Sequence, residues 1–145
     1  MILWHQLLLW MLFGPLVMAV PAEAASPIRM EIFATSDTSI PEPRPGISLT
    51  VYRIDGLLAL ETQLSAQLPA DPESATAEAV QRIGRLEADD FGPAEEAAHG
   101  LARARELGID RHPAIVIEDR VVLYGLRDPE TALDHYRTWR AETGR

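Results

Sequence analysis

Residues 108–125, GIDRHPAIVIEDRVVLYG, constrain the fold of this chain more than any other stretch. Gly108 is placed to end a helix, because glycine takes the left-handed backbone conformation that closes one. His112-Pro113 is an X-Pro step, and for such a bond the cis form costs little more than the trans. Ala114 to Ile117 is a continuous apolar run of strand length. Glu118, Asp119 and Arg120 interrupt it, and Val121 to Tyr124 is a second apolar run of β-branched and aromatic character. The order predicts a helix end, a proline step, a buried strand, a tight turn and a returning antiparallel strand.

That order is similar to the C-terminal half of a thioredoxin-like domain. Both runs of the hairpin are apolar throughout, which calls for helices on at least one face of their sheet. The rest of the chain supplies them. Residues 29–35 alternate, with Met30, Ile32 and Ala34 on one face and Glu31, Phe33 and Thr35 on the other, as in a first strand. Pro41, Pro43 and Pro45 keep residues 35–46 an extended loop. Residues 48–55 form a second strand. Asp55 is placed to cap a helix, in which Leu57, Leu60, Leu64 and Leu68 share one face that reads as core packing. Asp71-Pro72 starts a second helix, carrying Ala79, Val80, Ile83 and Leu86. Pro93 opens a third, with Ala94, Ala97, Leu101 and Ala104 inward and Gly100 allowing close approach to a neighbour. Asp128-Pro129 starts the last, with Leu133, Tyr136 and Trp139 or Arg140 marking one side. The reading is β, β, three helices, β-hairpin, helix. It is one α/β domain of 145 residues less a leader.

The leader is residues 1–24. Met1 to Val20 is apolar apart from His5 and Gln6, and Ala22-Glu23-Ala24 has the small-x-small pattern of a signal-peptidase site. Cleavage between Ala24 and Ala25 is expected, leaving a single domain over residues 25–145 outside the cytoplasm, in the periplasm. The rival is an uncleaved inner-membrane anchor bearing a scaffold, since about 18 apolar residues can span a bilayer.

Net charge is −9, of which the first 24 residues contribute only Glu23. Such a surface disfavours nucleic acid, whose binding rests on neutralising phosphates. It also disfavours adhesion to anionic lipid. A protein partner is the simpler inference. The chain has no cysteine, so thiol chemistry, disulfides and Cys-based metal sites are excluded.

Three segments carry a resemblance: Ile32-Phe33-Ala34-Thr35-Ser36-Asp37, residues 64–72 (LSAQLPADP), and residues 107–125 around Pro113-Ala114 and Val122-Leu123-Tyr124-Gly125. Together they resemble an uncharacterised exported protein family encoded in bacterial integrating conjugative elements, among genes for conjugative type IV secretion. The resemblance implies a thioredoxin-like fold related to periplasmic pilus-assembly proteins. It also implies a role in mating-pair formation through components of the secretion apparatus. It brings no cofactor, catalytic residue or known activity. Where thioredoxins carry Cys-x-x-Cys at a helix start, this chain has Ser36 to Gly46 with three prolines and no cysteine, so the fold is expected to be trimmed.

By analogy with thioredoxin-like proteins, the residue before the proline offers backbone groups to which a peptide can add as a strand. Arg111, His112 and Pro113 would then line a partner groove, with Thr35 and Ser36 facing them. The alternative is a plain turn before a buried strand, since a fold alone does not make a site. A glutathione-transferase-like use of the Thr35 and Ser36 hydroxyls toward thiol peptides or small molecules is a further option. His99, His112 and His135 lack close ligand spacing, so no metal is expected. Glu87, Asp89, Asp90, Glu95 and Glu96 read as a solvated patch at a helix start.

Overall fold

The structure is a computed structural model and describes residues 26–144. The expected leader and the Ala24-Ala25 cleavage step lie outside the described residues. Four strands, Ile28–Ala34 (β1), Ile47–Arg53 (β2), Ala114–Ile117 (β3) and Val121–Tyr124 (β4), form one sheet in the order β2-β1-β3-β4. β1 and β2 are parallel, from Ile28 opposite Ile47 to Ala34 opposite Arg53. β3 runs antiparallel to both β1 and β4. The fold class is thus α/β with a mixed sheet, the helices being Gly56–Ser65 (α1), Pro72–Ile83 (α2), Gly92–Glu106 (α3) and Pro129–Thr143 (α4). A parallel pair needs a crossover of about a dozen residues. Here residues 35–46 provide it without a helix, as the three prolines predict.

The alternation in β1 decides which layer each side chain joins. Met30, Ile32 and Ala34 meet Ile115 and Ile117 on one face, under Ala132, Leu133 and Tyr136 of α4. Phe33 and Val116 meet Ala104 of α3 on the other, with Tyr52, Ile54 and Leu107 around them. Phe33 stacks on Tyr52 with ring centroids 5.0 Å apart. Because β3 is fully buried on both faces, its run of apolar residues has no polar alternation to show.

The three aspartates placed to cap helices follow their predicted chemistry in two cases. Asp71 accepts the Ser74 N–H at 2.9 Å, and Asp128 accepts the Glu130 and Thr131 N–H groups at 3.2 Å. Glu130 in turn takes the Arg44 N–H at 2.8 Å and its guanidinium at 2.6 Å, pinning the proline-rich loop to the start of α4. Asp55 departs from the expectation. It makes no side-chain cap on α1; its carboxylate is claimed by Ser36.

Two packing expectations are corrected. The α3 seam is Ala94, Ala97, Gly100 and Ala104, while Leu101 is 43 % exposed. The reason is Tyr52: a Cβ on Gly100 would lie 2.8 Å from the Tyr52 Cβ, so the helix turns its least bulky residue to the strand. The larger correction is α1. Gly56 is its only buried residue and α2 has none. α1 packs chiefly on α3, and α2 on α1, so the Leu57–Leu60–Leu64 face stands one layer outside the core it was expected to join.

The β3–β4 turn closes with the Arg120 N–H on the Ile117 carbonyl at 3.0 Å. Glu118 and Asp119 both sit at positive φ, 55° and 54°, a conformation that costs non-glycine residues energy. Tertiary contacts hold them there. The Glu118 carboxylate accepts the Arg29 N–H at 2.7 Å. Asp119 pairs with the guanidinium groups of Arg29 and Arg103.

Candidate functional site

The predicted proline step lies at one end of the sheet, where β1 and β2 finish and β3 begins. The last β1–β3 pair is Phe33 with Ala114, so the chain leaving β1 at Thr35 and the chain entering at His112 emerge together. The His112-Pro113 bond is cis. The Pro113 carbonyl accepts the Gly125 N–H at 2.8 Å, tying the step to the end of β4. Among the described residues no backbone hydrogen bond engages His112.

Beside this edge is a cavity of about 150 Å³ lined by Phe33, Ile54, Leu101, Ile109, Arg111 and His112. Its floor is apolar and its rim is charged. Arg111 lies over the Tyr124 ring, 4.9 Å from the centroid, and its Nε meets the Asp110 carboxylate at 3.1 Å. That guanidinium holds the Asp110 carboxyl below its ordinary value. Arg111 is therefore a fixed cation at the rim, stacked and paired, though both partners are exposed and the pair itself adds little stability.

Thr35 and Ser36 are placed differently from Arg111 and His112. They do not line the cavity. The Thr35 hydroxyl bonds Asp37 and lies 3.1 Å from the Thr38 hydroxyl. The Ser36 N–H points at both Asp55 carboxylate oxygens at 3.0 Å, and its hydroxyl meets one of them at 2.8 Å. Arg53, the last residue of β2, donates to the Thr35 and Thr38 carbonyls at 2.7 and 2.8 Å. The turn after β1 is thus locked from both sides, and its hydroxyls are already occupied. Nothing local in the sequence marks Arg53 or Ile54 as neighbours of the proline step, because they arrive through the pairing of β2 with β1.

The Ser36 donors hold the Asp55 carboxyl below its ordinary value. A group depressed in the folded state contributes stability above its unfolded pKa, and loses it as pH falls through the folded one. The melting temperature should therefore drop as pH is lowered below about 4, the unperturbed carboxyl range. Asp55→Asn should flatten that acid limb while lowering stability at pH 7. A pH series of thermal melts on both proteins checks it; parallel curves would show that Asp55 does not contribute.

Among the described residues, no three His, Asp or Glu side chains gather as a metal cage, and no helix is long and apolar enough to cross a membrane. Glu87, Asp89, Asp90, Glu95 and Glu96 are all exposed. Glu87 and Asp90 cap the short 3-10 turn Ala88–Phe91 that leads into α3.

No curated protein and no solved structure matches the chain. Residues 30–142 match a family model described as a protein of unknown function, DUF1525, a span that runs from β1 into α4. The chain belongs to that family.

Proposed function

We propose that this chain is a non-catalytic, thioredoxin-like adaptor, exported to the periplasm, that assists the type IV secretion apparatus of an integrating conjugative element by gripping extended segments of its proteins. The observation that carries this reading is the unpaired His112 backbone beside the apolar cavity under Leu101 and Ile109. A peptide strand can pair with that backbone while one of its side chains enters the cavity. The strand order, with β3 antiparallel to its neighbours, agrees with a thioredoxin-like sheet that lacks the helix between its first two strands. The absence of cysteine agrees with a scaffold kept for its shape. The segments around Thr35, Leu64 and Pro113 supply the resemblance that points to conjugation.

The hydroxyls of Thr35 and Ser36, bound to Asp37 and Asp55, do not favour a small-molecule or thiol-peptide site. The adaptor reading is tested by tagging the full chain in conjugating cells. Secretion components should co-purify, and Arg111→Glu with Leu101→Asp at the cavity rim should release them. A clean deletion should reduce transfer frequency. Transfer at the parental level after deletion refutes the role.

A further inference from the structure

Among the described residues, β2 stands at one edge of the sheet, with β1 on its inner side and no strand on its outer side. The hydrogen bonds at the two ends of the β1–β2 ladder fix which residues face out. The Ile28 N–H donates to the Gly46 carbonyl at 2.9 Å, and the Ile54 N–H donates to the Ala34 carbonyl at 3.1 Å. Backbone directions alternate along a strand, so Ser48, Thr50 and Tyr52 turn their N–H and C=O groups to β1. Ile47, Leu49, Val51 and Arg53 turn theirs outward. Natural edges are blunted by charge, proline, a bulge or shortness. The opposite edge, β4, is four residues long and follows the charged turn Glu118-Asp119-Arg120. β2 has none of these devices. Its pairing with β1 is unbroken from Ile47 to Arg53, and Ile47 to Tyr52 carries neither charge nor proline.

The outward backbone asks for a strand, and the side chains say which one. Ile47, Leu49 and Val51 are half-buried and extend the layer of Met30, Ile32 and Ala34. Ser48 and Thr50 are exposed on the other face. An added strand must therefore alternate apolar with hydroxyl-bearing residues. Residues 1–20 are apolar apart from His5, Gln6, Gly14 and Pro15, so a strand from them would set apolar side chains against Ser48 and Thr50 as well. β2 itself has the required alternation. A two-fold axis normal to the sheet, beside the central residue Thr50, pairs β2 with a second copy antiparallel over its full length. Leu49 then meets the copy's Val51 in a hydrogen-bonded pair, and Thr50 meets the copy's Thr50 in a non-hydrogen-bonded one. The apolar rows join on one face and the hydroxyl rows on the other. Charge permits this contact in a chain of net −9, because no Asp or Glu lies between Glu42 and Asp55. The two cations in that span are engaged, Arg44 by Glu130 and Arg53 by the Thr35 and Thr38 carbonyls. We infer that the protein self-associates as a two-fold dimer through β2, which joins two four-stranded sheets into one. Pairing through β2 does not depend on the role proposed for the proline step.

The test uses the full chain, purified as the cell processes it. Sedimentation velocity should show a dimer whose share rises with concentration. Thr50→Glu and Thr50→Lys each set like charges directly across the axis, and each should weaken dimerisation severalfold. Mixing the two variants should restore it, because Glu then faces Lys. Both should melt near the parent temperature, since Thr50 is exposed. The lack of native cysteine allows a second readout. Thr50→Cys should cross-link to its copy under mild oxidation, because a non-hydrogen-bonded pair brings the two Cβ atoms close to disulfide reach. It should do so faster than Gln63→Cys, at an exposed position of α1. A chain that stays monomeric at every concentration overturns the inference. So does a dimer that both charged variants leave intact, or one that their mixture does not restore. Cross-links from the thiol at position 50 to residues 1–25 overturn it in favour of that segment as the added strand.

Discussion

Gly56→Ala is expected to destabilise the protein by about 2–3 kcal/mol, the scale of an overpacked contact, and to lower the melting temperature by about 10 °C. A Cβ on Gly56 would stand 2.0 Å from the Pro93 carbonyl oxygen and 2.6 Å from its carbon. Those are backbone atoms at the start of α3, so no side chain can swing aside. α1 must instead lift from α3, its principal neighbour, and the α1–α2 pair moves with it. Gly84→Ala is the matched control. It ends α2 in ordinary right-handed backbone, where an added Cβ meets the Val80 carbonyl oxygen at 3.4 Å. It should be near neutral, since restricting the unfolded chain offsets the mild crowding. Thermal melts of the two variants decide the matter; equal shifts would mean the Gly56–Pro93 contact does not fix α1.

The parts of this fold legible in the sequence are those fixed by short-range chemistry. Alternation assigned Met30, Ile32 and Ala34 to one layer and Phe33 to the other, because a strand has no freedom to place them otherwise. Asp71-Pro72 and Asp128-Pro129 marked helix starts, because the capping partner lies only two or three residues away. Residues 108–125 gave the hairpin for the same reason. The leucine face of α1 shows the limit. Periodicity reports that one side of a helix is apolar; it is silent on what covers that side. Layer order is decided at Gly56 and Pro93, residues far apart in sequence. Asp55 illustrates the same limit at the candidate site. As a helix cap it needed only its neighbours, yet its carboxylate is taken by Ser36, brought beside it by the parallel pairing of β1 with β2. Arg111 and His112 adjoin the proline in the sequence itself. Ile54 and Leu101, which complete that corner, come from other elements and carry no local mark.

Arg103→Met should cost about 3 kcal/mol, the scale expected when one partner of a buried ion pair is removed. Arg103 on α3 reaches across the second face of the sheet to Glu31 of β1. Its Nε lies 3.0 Å from one carboxylate oxygen and its Nη2 3.2 Å from the other. Glu31 is only 8 % exposed, and Glu31 is the largest cause of the raised Arg103 pKa. The same guanidinium also meets Asp119 at 2.5 Å and Glu106 at 3.4 Å, so it joins α3, β1 and the β3–β4 turn. Removing it strands a buried carboxylate without its partner and leaves Asp119, in a turn held at positive φ, with Arg29 as its remaining cation. Removing Glu31 is less severe, because Arg103 keeps two acidic partners and can reach solvent. Glu31→Met alone should therefore cost about half as much, on the footing of a lost charged hydrogen bond. The double variant Glu31→Met, Arg103→Met should recover part of the Arg103→Met loss, since apolar side chains of similar length pack without a desolvated charge. Denaturant melts on the four proteins close the cycle. Additive losses would show that the pair is uncoupled, and a Glu31 loss as large as that of Arg103 would show that Asp119 and Glu106 do not share the guanidinium.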